Sequence, residues 1–170
     1  MYQPGDVILF ETQAKGLYRK LKVWLLESPY DHVAIFYDYT KKGLPLVAES
    51  VGRGASIRSL YASKGRKVTV LRHANRRVAQ GAATRAESLC DNPESWYDYY
   101  SIVRFVVPHL IWHKFTGRNM NIGYKRNAVY ICSELADEAY DNIIPLHCCP
   151  PLPADFLNIK AFHVEFEETI

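Results

Sequence analysis

A thiol and an imidazole make a nucleophile when a fold brings them together. Cys132 lies in the run Tyr130-Ile131-Cys132-Ser133-Glu134-Leu135-Ala136, and His32 lies in Ser28-Pro29-Tyr30-Asp31-His32-Val33-Ala34-Ile35. The stretch after Cys132 reads as a helix, with Leu135, Ala136 and Ala139 as its apolar stripe. Glu134 puts an acid in the first turn, where the helix dipole favours one. A cysteine at such a start feels the positive end of that dipole. Its pKa falls from about 8.5 toward roughly 3.5–7.5, more so beside an imidazolium. Taken singly, a buried cysteine is more often a small apolar core residue. A histidine ahead of a strand is likewise more often structural.

A third residue raises both above that background. His32 opens the strand Val33-Ala34-Ile35-Phe36-Tyr37. The turn Thr40-Lys41-Lys42-Gly43 follows, and then the strand Leu46-Val47-Ala48-Glu49-Ser50. The two strands predict a hairpin with a loop of about four residues. If paired residue numbers sum to 81, Glu49 faces His32 directly; if they sum to 83, the two are diagonal neighbours. Either odd sum places both side chains on one face, with Cβ atoms roughly 5–8 Å apart. An even sum places them on opposite faces. Glu49 is therefore the expected acceptor for the second ring N–H of His32, fixing its tautomer.

These residues resemble a family. Pro4-Gly5-Asp6-Val7-Ile8-Leu9-Phe10, the His32 strand, Glu49 and the Cys132 run follow, in order, the pattern of YiiX-like proteins. Those are circularly permuted members of the NlpC-type, papain-like cysteine peptidase and amidase superfamily. Val68-Thr69-Val70-Leu71-Arg72 looks like the family's next strand. Trp96-Tyr97-Asp98-Tyr99 looks like its Tyr-Asp segment, and Pro150-Pro151-Leu152-Pro153-Ala154-Asp155-Phe156-Leu157 like its Pro-x-Asp-Leu element past the nucleophile helix. The resemblance spans most of the chain, and the order His, acid, Cys is the permuted one. The stretch from about Ile102 to Asn127 matches nothing in the pattern and is expected to be an insertion. The resemblance implies a permuted papain-like fold, a small antiparallel sheet packed against the nucleophile helix.

With 170 residues, a hydrophobic fraction of 48% and no repeat, the chain reads as one domain, 1–170. The start Met1-Tyr2-Gln3-Pro4-Gly5-Asp6 has neither the basic residues nor the apolar run of a signal peptide. No stretch has the 18 or so apolar residues of a membrane span. With four cysteines read as free thiols, the expectation is a cytoplasmic protein. His147, Cys148 and Cys149 are adjacent, but no second cluster offers ligands at zinc spacing, so no metal and no cofactor is expected.

Nine Lys or Arg and no acid lie between Gly52 and Arg85. That run fits an anionic surface. A net charge of +3 favours a solvated face balanced by acids elsewhere, and no nucleic-acid motif accompanies it. The segment Ile102 to Phe115 is apolar and aromatic, with Pro108 placed to break or kink a helix. A core role is the simpler reading, and a flap or lipid contact the sharper one. His109 and His113 share a helix face without the acid of the metalloprotease motif.

The expected layout is α+β. Strands are expected at about Val7–Phe10, at the His32 and Glu49 segments, near Val68–Leu71 and over the tail from Ala161 to Phe166. Helices are expected at Gly16–Leu26, with Leu17, Leu21, Trp24 and Leu25 on one face, at Asn75–Cys90 and after Cys132. The chemistry expected is acyl transfer to the Cys132 thiolate, with His32 as proton carrier and Glu49 as its orienter. The substrate would be a peptide or amide. The alternatives are a lipid acyl group handled by a hydrolase or acyltransferase in peripheral membrane contact, and a silent binding module that keeps the scaffold.

Overall fold

A computed structural model describes residues 1–92, 97–118, 130–144 and 150–170. Its centre is a six-stranded antiparallel sheet in the order β4-β3-β2-β1-β5-β6. The strands are β1 (Val7–Glu11), β2 (Tyr30–Tyr39), β3 (Pro45–Val51), β4 (Gly54–Ser59), β5 (Lys67–His73) and β6 (Phe162–Thr169). The run Val7-Ile8-Leu9-Phe10 is apolar without alternation because β1 is central and both its faces are covered. Val7 and Leu9 join Val33, Ile35 and Ala48 beneath the helices, while Ile8 and Phe10 pack with Ala34, Phe36 and Leu60 on the other side. β6 is an edge and carries Glu165, Glu167 and Glu168, charges that discourage further strand pairing.

The helices are α1 (Gly16–Leu26), α2 (Arg76–Cys90), the single turn α3 (Tyr99–Ser101), α4 (Val107–Thr116) and α5 (Cys132–Ala139). Asn75 caps α2, its side chain accepting the backbone N–H of Arg77 at 3.0 Å and of Val78 at 3.4 Å. Small residues of α2 and α5, Ala82, Ala86, Ala136 and Ala139, let both helices lie close to the sheet. Gly5 makes one approach possible. Its φ is +90°, and a Cβ there would sit 2.1 Å from the carbonyl oxygen of Ala79 in α2.

Three expectations change. β4 was not anticipated; it completes a second hairpin with β3, turned at Gly52-Arg53. Pro108 does not break its helix. A π-helical turn, Ile102–Val106, precedes it, and Pro108 falls in the first turn of α4, where its missing N–H costs little. The segment Ile102 to Phe115 is core on one side only. Val106, His109 and Leu110 are buried, whereas Val103, Ile111, Trp112 and Phe115 are exposed. The C-terminal part of the anticipated 102–127 insertion lies outside the described residues.

Candidate active site

Several bonds fix the start of α5. The Ser50 hydroxyl of β3 donates to the Tyr130 carbonyl at 2.7 Å, and Tyr97 forms an isolated parallel bridge with Tyr130. Ile131 N–H donates to Glu134 Oε2 at 2.8 Å, so the acid seen in the first turn caps its own helix. On the far side, the Ser133 hydroxyl donates to the Pro151 carbonyl at 2.5 Å, and Asp155 accepts the Leu152 N–H at 2.7 Å. Ser50, Tyr97 and Pro151 therefore brace the turn that carries Cys132, while Asp155 caps the short turn that follows Pro151. Cys132 is the first residue of the helix and is 7% exposed.

His32 and Glu49 come from neighbouring strands. The β2–β3 register pairs Ile35 with Ala48 and Phe36 with Val47, a sum of 83, before a bulge shifts it. His32 and Glu49 are thus diagonal neighbours on one face. His32 Nε2 lies 2.6 Å from Glu49 Oε2. The imidazole packs against Phe10, ring centroids 5.3 Å apart. Its side chain also engages Cys132, leaving Nδ1 as the ring nitrogen for the thiol. The second carboxylate oxygen of Glu49 accepts from Arg58 Nη1 at 3.1 Å. Arg58 comes from β4, so sequence reading missed it with the strand. The Gly-Arg-Gly at 52–54 was the available turn signal.

The electrostatics follow from these contacts. Burial alone would raise the Cys132 thiol. The His32 charge, its hydrogen bond and the backbone N–H groups of Val33 and Ser133 outweigh burial and pull it below the ordinary value. Burial alone would lower His32. The Cys132 thiolate and the Glu49 carboxylate reverse that and push it up to about 9. Burial would raise Glu49, but His32 and Arg58 hold it below the usual carboxylate range. All three directions favour a thiolate–imidazolium pair with an ionised acid behind it.

A cleft of about 360 Å³ opens beside His32 and Glu49. Gln13, Asp31, Arg58 and Arg66 share its lining, which is polar apart from Val51 and Ala62. The basic stretch 53–85 is dispersed by the fold. Arg58 meets Glu49, Arg66 meets Asp31, Arg72 meets Asp6 and Glu165, and Arg85 meets Asp141. His109 and His113 stack, with ring centroids 6.1 Å apart. Trp96, His147, Cys148 and Cys149 lie outside the described residues. Among the described residues, no three His, Cys, Asp or Glu side chains are set to hold a metal ion.

The sheet and its two packed helices define an α+β protein. No protein-family model matches the chain, and no curated protein matches it. Among solved structures, the fold is similar to that of the metalloprotein yiiX from Escherichia coli O157:H7, a DUF1105 protein. The TM-score is 0.54 at 19% identity, over 99% of this chain and 98% of that one. At that identity the likeness is one of fold: a YiiX-like architecture.

Proposed function

We propose that this chain is a thiol hydrolase, a peptidase or amidase, built as a single permuted papain-like domain of the NlpC type over residues 1–170. The observation that carries the reading is the buried relay from Cys132 through His32 to Glu49, with Glu49 2.6 Å from the imidazole. The Cys132 sulfur attacks the substrate carbonyl carbon. The carbonyl π electrons move to oxygen, and the backbone N–H of Cys132, at the helix start, is the natural donor to that oxyanion. Collapse breaks the C–N bond as His32 Nδ1 gives its proton to the leaving nitrogen. A thioester remains. Water then attacks the thioester carbon while His32 takes one of the water's protons, and collapse breaks the C–S bond, releasing the carboxylic acid and restoring the Cys132 thiolate beside the His32 imidazolium. Glu49 holds Nε2–H throughout, fixing the ring and stabilising its positive form.

The similar solved structure is described as a metalloprotein, and among the described residues of this chain no three His, Cys, Asp or Glu side chains are set to hold a metal ion. The lipid-directed alternative has one observation in its favour, the exposed apolar side chains of α1 and α4. Labelling with a panel of peptidyl and lipid-like acylating probes, followed by mapping of the labelled cysteine, tests the reading. Peptidyl labelling at Cys132 that is lost in His32→Ala is expected. Labelling by lipid-like probes alone would transfer the reading to the alternative, and no labelling of Cys132 would overturn both.

A further inference from the structure

The sequence predicts that α1 buries Leu17, Leu21, Trp24 and Leu25, but no residue of α1 is buried. Leu17 is 82% exposed and Trp24 51%. Only Leu25 and Leu26 reach a core, the small cluster of Val106, Leu110 and Ile131 that joins α1 to α4. α4 repeats the pattern, with Ile111, Trp112 and Phe115 turned outward. Lys114 ties the two helices. Its Nζ lies 5.2 Å from the Trp24 ring centroid and 2.5 Å from Glu27 Oε1. Scattered surface hydrophobics are ordinary, whereas six large ones on two touching helices form a patch.

Charge identifies the occupant. Neither α1 nor α4 contains an acid. α1 carries Arg19, Lys20 and Lys22, and Lys15 precedes it. Asp31 holds Lys22 at 2.6 Å and Glu11 faces Arg19 at 3.6 Å, while Lys15 and Lys20 have no ion-pair partner among the described residues. A second copy seated on this patch across a two-fold axis would set like charges together. A basic helix with leucine and tryptophan on its apolar side has the composition of one that lies in a membrane interface.

We infer that α1 and α4 form a docking surface for an anionic lipid bilayer, with Leu17, Leu21 and Trp24 entering the interface and Lys15 and Lys20 meeting headgroups. The contact is peripheral, because among the described residues no helix is long and apolar enough to cross a membrane. Ile131, part of the cluster beneath the patch, adjoins Cys132, so docking would bring the thiol close to the bilayer. The inference does not depend on the thiol chemistry, and Cys132→Ala should dock as tightly as the parent.

Co-sedimentation of the full chain with phosphatidylcholine vesicles, with and without phosphatidylglycerol, tests it. Binding should require the anionic lipid at low salt and fall as salt shortens the screening length from about 10 Å at 0.1 M to about 3 Å at 1 M. Leu17→Ser with Leu21→Ser should weaken it about tenfold or more. Lys20→Glu should weaken it at least about fivefold, the effect of one basic residue near an anionic surface. Circular dichroism serves as the folding control, with Lys15→Glu as the second charge variant. Brominated-chain lipids should quench fluorescence that Trp24→Phe removes. Pelleting no greater than without vesicles, or binding that the α1 variants leave unchanged, would overturn the inference. So would a dimer in solution that the same variants dissociate, since the occupant would then be a second copy.

Discussion

The two described cysteines sit at opposite ends of neighbouring helices. Cys132 begins α5 and Cys90 ends α2. Burial acts on both thiols in the same direction, toward a higher pKa. For Cys90 nothing outweighs it. Asp91 and Glu87 add to burial, and the thiol is pushed up to about 12, although the Glu49 backbone N–H works the other way. For Cys132 the imidazolium and two backbone N–H groups reverse the sign. The contrast shows that burial does not make a thiol inert or reactive. The charges and donors aimed at the sulfur do, and a helix start beside a histidine supplies them where an acid-flanked helix end does not.

Breaking the relay at either of its reacting members should give the largest effect. Cys132→Ala removes the nucleophile and should abolish turnover. His32→Ala should cost about 10⁴-fold or more, since proton transfer is lost and the thiol is left to burial. The double variant should be little worse than either single one, because the two act as a unit. Cys90→Ala should leave turnover unchanged. Substrate-turnover kinetics with circular dichroism as folding control reads all four.

A pH profile sharpens the same contrast. The competent form is thiolate with imidazolium. Below the lowered Cys132 value the thiol is protonated, and above about 9 the imidazolium is lost. A bell-shaped kcat/KM is expected, with an alkaline limb near 9 and an acidic limb below the ordinary thiol value. The limbs belong to the pair rather than to either residue.

Smaller effects lie further from the sulfur. Glu49→Gln keeps an acceptor for Nε2–H and loses the charge. Hydrogen bonds to charged groups contribute about 1.5–3 kcal/mol, so turnover should fall about ten- to a hundredfold. The alkaline limb should move down with it. Arg58→Ala removes one bond from a guanidinium that is nearly half exposed. Solvent screens such a pair to about 0.2–1 kcal/mol, and turnover should fall less than about fivefold.

Much of this arrangement was legible in the chain. Two odd register sums were compatible with His32 and Glu49 sharing a face, and the hairpin adopts one of them. Bounds for α1 and the continuous apolar run of β1 were readable because they depend on local periodicity and on breakers such as Gly16. Arg58 was not readable. Its role needs β4, whose short segment carries little apolar signal beyond its flanking glycines. The basic stretch looked like a single feature because its acidic partners, Asp6, Asp31, Asp141 and Glu165, come from distant parts of the chain. An apolar stripe on α1 implied a buried helix, and periodicity carries no information on whether protein or another phase covers it.

Iodoacetamide modification rates for each cysteine, followed by peptide mass spectrometry across pH, test the central claim most directly. Cys132 should react with a midpoint below the ordinary thiol value of about 8.5. Cys90 should stay slow until strongly alkaline pH, and His32→Ala should move the Cys132 midpoint upward. A Cys132 midpoint at or above the ordinary value, or faster reaction of Cys90, Cys148 or Cys149 at mildly acidic pH, would contradict the account.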